Sequence, residues 1–559
     1  MDIKRNLLIL ALAVVSYLML LAWNGDYKTP VQSSAAASLE QPQTQAAPVT
    51  AAGATAAEDV PQIQGQAAPL ATTTAPAASL ITVTTPMQIV TIDLVGGDIV
   101  SISLPRFPTS IDSPNDPFPL MYNDTRGVYV AQSGLIGRNG PDALSSGRPR
   151  YQSTQTSYTL EEGSLTVELV TSTAANVRIA KRFVFSADDY LIGVQHNITN
   201  NSGSEQVMNL FAQVKRDGRD DPSSATGVGI NTFLGAVTTT PDDPYYKLKL
   251  DDLDDGDEAF DQEGGWIGFS QHYFLGGWIA PAATLNHFTT RRNSNGEYLL
   301  GFVGPDTVVS AGQQVQIDSA LWAGPKDQYR LEVISPNLGL TIDYGMLWFV
   351  GYPIFWLLSQ IYGLVGNYGL AIILLTCVIR LLFFPLSAKQ FKSQLAMKRL
   401  QPKIAQLKER HGEDKQKFVQ AQMELWKKEG VNPFSGCLPV LLQMPVFLGI
   451  YWVLNESVEL RQAPFILWYK DLSMMDSYFV LPLLLGGAYY LQQHMTPMMT
   501  TDPMQEKVMK FMPVMFCAFF LFFPAGLVLY YLANALLSIS QQSYFNYNAS
   551  KDVVAANDS

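Results

Sequence analysis

The 559-residue chain has only three cysteines, Cys377, Cys437 and Cys517, and all three lie in long apolar runs. The part that precedes residue 377 has none, so whatever folds there is stable without disulfides. The chain also lacks G-x-S-x-G, S-x-x-K, G-K-[ST] and H-E-x-x-H, the signatures of several hydrolase, nucleotide and zinc chemistries. Its five histidines (His196, His272, His287, His411 and His494) have no metal-ligand spacing. The apolar runs hold no Asp/Glu/His relay of the kind a pump requires. No cofactor or metal is implied, and the chain reads as one that accommodates something rather than reacting with it.

What is present is hydrophobic length. Tyr368 to Leu386 is a 19-residue apolar run whose only charge is Arg380. Such a run reads as a transmembrane helix, and a guanidinium within it costs several kcal/mol unless it meets a partner or water. Snorkelling toward the headgroups is the plain alternative; a polar intramembrane cavity is the expectation. Further runs are Leu438–Leu454, Tyr478–Leu491 and Phe511–Leu537, the last interrupted by Pro524-Ala525-Gly526. That tripeptide is turn chemistry and predicts two helices in a tight hairpin. Asn6 to Trp23, behind Lys4 and Arg5, reads as an uncleaved anchor, because no small-x-small cleavage site follows it.

Charge sets the topology. Residues 387–434 hold 11 Lys/Arg against five Asp/Glu, whereas residues 24–343 hold 18 basic and 35 acidic residues. The positive-inside rule makes the first segment cytoplasmic and the second external. The net charge of −12 is thus a sum of opposite parts. Gly345 to Ile361 would pass as a span on hydropathy, but a span there would invert the basic loop. It is expected to lie in the interface. The expected organisation is an anchor (1–23), a disordered linker (24–80), a β-domain (81–343), an interfacial helix (344–363) and a second span (364–387). A basic helical hairpin (388–433), spans at 434–458, 476–496, 508–524 and 525–546, and a cytoplasmic tail (547–559) complete it.

Residues 24–80 are rich in Ala, Thr, Gln and Pro with five charges, too few apolar groups to offset ordering entropy. From Ile81 the pattern alternates, as in QIVTIDLVGGDIVSISL around a Gly-Gly turn, and repeats in SLTVELVTST, RIAKRFVFS, IGVQHNITN, VMNLFAQVKR, EYLLGFVG and QQVQIDSALWAG. Such spacing predicts one large β-sandwich. Asp251 to Glu263 fails the EF-hand pattern and reads as a solvated acidic loop; Trp266 and Trp278 read as core. In the basic hairpin, Phe391, Leu395, Leu400, Ile404 and Leu407 mark one face, Asp414 caps a second helix, and Gly430 closes it. It offers a docking surface.

The motifs VGNYG, LQPKI, VNPFSGCLPVLLQMPVFLGIYWVL, SVELRQAPF, TDPMQ and FPAGLVLYY, together with the Arg380 helix, closely resemble the YidC membrane protein insertases of Gram-negative bacteria. The resemblance covers essentially the whole length. It implies a polytopic α-helical inner-membrane protein with an N-terminal anchor, a five-helix insertase core and an all-β periplasmic supersandwich. It implies a groove open to cytoplasm and lipid, with Arg380 as its charge and Thr376, Gln443, Met444, Phe447, Tyr530 and Tyr531 along it. Implied partners are nascent membrane proteins, the Sec translocon, the ribosome and signal-recognition components through the hairpin, and the bilayer; DNA is not among them. Two departures stand out. SKDVVAANDS has one Lys and two Asp where members often have a basic tail, and Phe522 lies where some have a Trp. The rival readings are a secondary transporter or channel, for which no internal repeat is seen, and an envelope enzyme, for which the signatures are missing.

Overall fold

The computed structural model describes residues 59–61, 80–144, 147–223, 233–254, 256–411, 414–431, 438–496 and 503–557. The expected anchor, almost all of the linker, and Cys437 lie outside the described residues.

Among the described residues, nineteen strands form an eleven-stranded and an eight-stranded sheet. Most strands follow directly from the alternation. Ile89–Asp93 and Asp98–Ser110 pair antiparallel, with Asp93 opposite Asp98. Gly96 and Gly97 between them both take positive φ (74° and 63°), which the tight hairpin turn requires and β-carbon-bearing residues resist. Ser164–Ser172, Val177–Ser186, Leu191–Asn200 and Gln314–Pro325 make one continuous antiparallel stretch of the smaller sheet. Ser113–Asp124 was not legible as a strand because it holds Pro114, Pro117 and Pro119; it pairs with Asp98–Ser110 through register shifts that accommodate them. The acidic stretch is not wholly loop: Leu250–Asp254 is a short helix, and Glu258–Glu263 is a strand pairing with Leu285–Arg292. Trp266 and Trp278 are core residues, and their indole N–H groups donate to Pro336 O (3.1 Å) and Gln213 O (2.9 Å).

The helical region begins with α1 (Trp348–Val365), α2 (Tyr368–Leu382) and α3 (Phe384–His411). The second span ends at Leu382, short of the expected residue 387. Phe383 leaves the helical conformation, Pro385 opens the next helix without a donor to offer, and the chain bends by 67°. At about 1.5 Å per residue α2 is roughly 22 Å long, well under a hydrocarbon core of about 30 Å. Helix α4 (Lys415–Lys428) folds back along α3. Asp414 accepts from the Gln416 and Lys417 amides, Gly430 takes φ 65°, and Lys403 bonds Glu429 at 2.6 Å.

The remaining helices are α5 (Leu438–Glu456), α6 (Val480–Met495), α7 (Pro503–Phe520) and α8 (Ala525–Asn557). The break at residues 521–524 falls where Pro-Ala-Gly predicts it, and both arms pack on α6. Helix α8 continues to Asn557, so most of the expected tail is helical. By length and hydropathy alone, α1 with its preceding turn is long and apolar enough to cross a membrane, and α2 passes only jointly with α3.

Helix α8 is the hub, touching α2, α3, α5 and α6. The outward faces carry a broad apolar belt: Leu370, Leu374, Val378 and Leu381 on α2, Leu483 and Leu484 on α6, Phe511 and Phe519 on α7. An apolar surface of that extent on a folded chain marks contact with lipid rather than water. The β-domain is seated on the helices through polar contacts. His272 Nε2 lies 2.9 Å from Asn455 O, and Arg461 and Gln462 both donate to Pro108 O at 2.9 Å. Arg461 also lies over the Phe118 and Phe274 rings.

Candidate functional site: a buried arginine against the last helix

Arg380 sits near the end of α2 on the face opposite the lipid-facing stripe and is 9% exposed. Its guanidinium does not reach outward. Nε donates to Asn534 Oδ1 at 2.7 Å, and one terminal nitrogen donates to Asn534 O at 3.1 Å and to Ser538 Oγ. All three acceptors are neutral and belong to α8. Among the described residues no carboxylate lies within ion-pair distance of Arg380. The site is therefore solvated by fixed dipoles but not neutralised, and its positive charge is felt around it.

The acceptors form part of a row. Tyr530, Asn534, Ser538 and Gln542 follow one another at four-residue spacing on one face of α8, and Tyr530, Ser538 and Gln542 are buried. Gln542 continues the polar seam to Thr496 beyond α6, at 3.3 Å. The expected groove residues include Tyr530 of this row but not Asn534, Ser538 or Gln542. Their signal was the i, i+4 repeat in line with Tyr530.

Thr376, one turn before Arg380, is buried and donates to Ile372 O at 2.7 Å, which satisfies its hydroxyl locally. Phe447 of α5 meets both Tyr530 and Tyr531, with ring centroids 6.3 and 6.0 Å apart, and Tyr531 also meets Phe520 at 4.8 Å. Tyr530 thus joins an aromatic cluster on one side to the polar row on the other. Gln443 and Met444 lie earlier on α5; neither is among the hydrogen-bonding partners of Arg380, and Met444 is 45% exposed, as is the neighbouring Leu448 at 46%. Phe522, at the break before α8, is also exposed.

Two family sequence models match this chain. The YidC periplasmic domain covers residues 80–357, and the 60Kd inner membrane protein covers residues 360–552. The membrane protein insertase YidC of Pseudomonas putida (strain F1) is 49% identical over 552 residues, 97% of this chain and 98% of its own length. The protein of that name from Azotobacter vinelandii is 48% identical over 99% of both chains.

The chain belongs to the YidC family.

Among solved structures it is similar to an active YidC insertase with the first transmembrane domain resolved, at 17% identity and a TM-score of 0.38, over 83% of this chain and 92% of that one. In YidC terms, the two sheets built here are the family's periplasmic domain and the helices from residue 360 its inner-membrane part. The periplasmic match runs on to residue 357, into α1.

Proposed function

We propose that this chain is a membrane protein insertase, and that the charge on Arg380 draws short acidic hydrophilic segments of incoming proteins into the helical core. The observation that carries the residue assignment is that its guanidinium is held by the amide, carbonyl and hydroxyl groups of Asn534 and Ser538 and by no carboxylate. A buried arginine paired with a carboxylate is neutralised where it sits. One held by neutral dipoles retains its field for a visitor.

The client's apolar segment would leave along α5 and α7, where Met444, Leu448, Phe511 and Phe519 are exposed and adaptable. Thr376, Gln443, Phe447, Tyr530 and Tyr531 would line the route. Burial of the client's apolar segment in lipid drives the reaction, so no nucleotide is needed. The short α2 supports a locally thinned bilayer, which shortens the remaining path. The topology is multi-pass, with a cytoplasmic N-terminus, the β-domain in the periplasm and α1 lying in the interface. The basic α3–α4 hairpin is the docking surface for ribosome and signal-recognition components, and the Sec translocon is a lateral partner.

The test is reconstitution in liposomes with clients that differ only in the charge of the translocated tail, at matched protein levels. Insertion that favours acidic tails and loses that preference in Arg380→Ala supports the role. Equal defects for every tail would return Arg380 to a packing role.

A further inference from the structure

The outer face of the larger sheet carries a feature that the insertase reading does not use. Strand Gln206–Arg216 alternates normally: Leu210, Ala212 and Val214 belong to the sandwich core, so Phe211, Gln213 and Lys215 point the other way. Residues on that outward face should be wet. Phe211 is instead fully buried and Gln213 nearly so. Part of what covers them is a piece of the linker. Val60 is 8% exposed and clusters with Ile136 and Phe211, against Ala143 and Val303. Asp59 sits among polar groups: its carboxylate takes Lys215 Nζ at 2.8 Å and Asn293 Nδ2 at 3.1 Å. Its carbonyl accepts from Gln213 Nε2 at 2.6 Å and from the Arg291 guanidinium. Pro61 follows.

We propose that this face of the β-domain is a docking site for a short acidic–aliphatic–proline segment, and that the chain's own Asp59-Val60-Pro61 is its occupant. The chemistry is complementary on each count. Lys215 and Arg291 supply two cations that face the Asp59 segment, with Glu297 3.4 Å from Lys215, and an incoming carboxylate finds both within reach. Gln213 reads the backbone carbonyl. The Phe211 slot accepts a branched aliphatic side chain, and a proline beyond it limits the conformations the segment gives up on docking. The clasp ties the linker to the β-domain at one point.

The test uses the full-length chain in detergent, with Cys377, Cys437 and Cys517 replaced by serine and a nitroxide on a cysteine introduced at residue 58 or, as control, residue 45. The label at residue 58 is expected to show an immobilised component that residue 45 lacks. Val60→Asp should reduce the clasped-to-free ratio by about tenfold or more, the scale of losing one well-made desolvated contact. Lys215→Ala should act in the same direction. Because Val60→Asp alters only the occupant, the β-domain's thermal transition checks that the site itself is intact. An excess of synthetic peptide spanning residues 54–66 should release the label in the parent chain. Equal mobility at 58 and 45, or an immobilised signal that survives both Val60→Asp and the peptide, would overturn the proposal.

Discussion

Arg148 of the β-domain and Arg380 of the helical core are both largely removed from solvent, and their surroundings treat them in opposite ways. Inside the β-domain, Arg148 pairs with Asp98 and, at 2.8 Å, with Asp142, while nearby Lys181 is held by Gly96 O at 3.1 Å and Ser133 O at 2.8 Å. The charges cancel within the cluster. In the helical core the acceptors that Arg380 meets among the described residues are the neutral ones of α8. A compensated buried charge stabilises one arrangement and acts on little beyond it. An uncompensated one keeps a long-range field in a low-dielectric setting. The same residue type is thus architecture in one region and a proposed recognition element in the other, and the difference lies in what faces it.

That contrast can be broken most directly at Asp142. Asp142→Ala leaves Arg148 half-paired in a buried cluster and should destabilise the β-domain by about 3–5 kcal/mol. A thermal transition that barely moves would remove the structural side of the comparison. The next effect belongs to Arg380. A unit charge about 10 Å away at an effective dielectric constant near 20 gains about 1.7 kcal/mol. Arg380→Ala should therefore lower insertion of acidic-tailed clients by roughly tenfold, with neutral-tailed clients little changed and Arg380→Lys retaining most activity. A uniform loss across tails would erase the functional side.

A smaller effect sharpens the role of α8. Asn534→Leu removes one of the two acceptors that Asn534 offers Arg380, the side-chain oxygen, and leaves the carbonyl; it should cost about 1–2 kcal/mol in stability. If Asn534→Leu instead matched Arg380→Ala in client selectivity while Arg380 stayed folded in place, the acceptor row itself would be recognising the client. The smallest effect lies at the seam between the regions. Burial first, and the nearby Lys326 charge second, depress the His272 imidazole to about 3. Its folded value is below its unfolded one, so the unfolded state binds the extra proton and stability falls as pH drops below about 6.5. The loss should approach about 1.4 kcal/mol per pH unit well below that value, and His272→Gln should flatten the slope of the thermal midpoint between pH 6 and 5. An unchanged slope would place the acid sensitivity elsewhere.

Much of this was legible beforehand. The Gly-Gly hairpin, the alternating strands, the Asp414 cap, the Gly430 stop and the break at Pro-Ala-Gly are local events in which a few neighbouring residues set the backbone. The elements that were not legible have nonlocal causes. The proline-bearing strand Ser113–Asp124 exists because Asp98–Ser110 tolerates its shifted register, and the acidic stretch becomes a strand because Leu285–Arg292 lies beside it. Of the candidate site, Arg380 stood out as the one charge in an apolar run, and Thr376, Gln443, Met444, Phe447, Tyr530 and Tyr531 were implied by the family resemblance. The sequence did not reveal that Ser538 would share the guanidinium with Asn534, since those residues are more than 150 positions from Arg380.

By itself, then, the sequence determined most of the alternating strands, the caps at Asp414 and Gly430, which loop is basic, and that one charge lies within an apolar run. These follow from periodicity, capping and composition, which act over a few residues. Only the tertiary structure decided that Arg380 turns inward to α8 rather than outward to the headgroups, and that its partners carry no charge. It also decided that Phe211 on an outward face is sealed by Val60. Each of those outcomes depends on which distant segment arrives at a surface, and burial and hydrogen bonding are settled there by what the fold brings together.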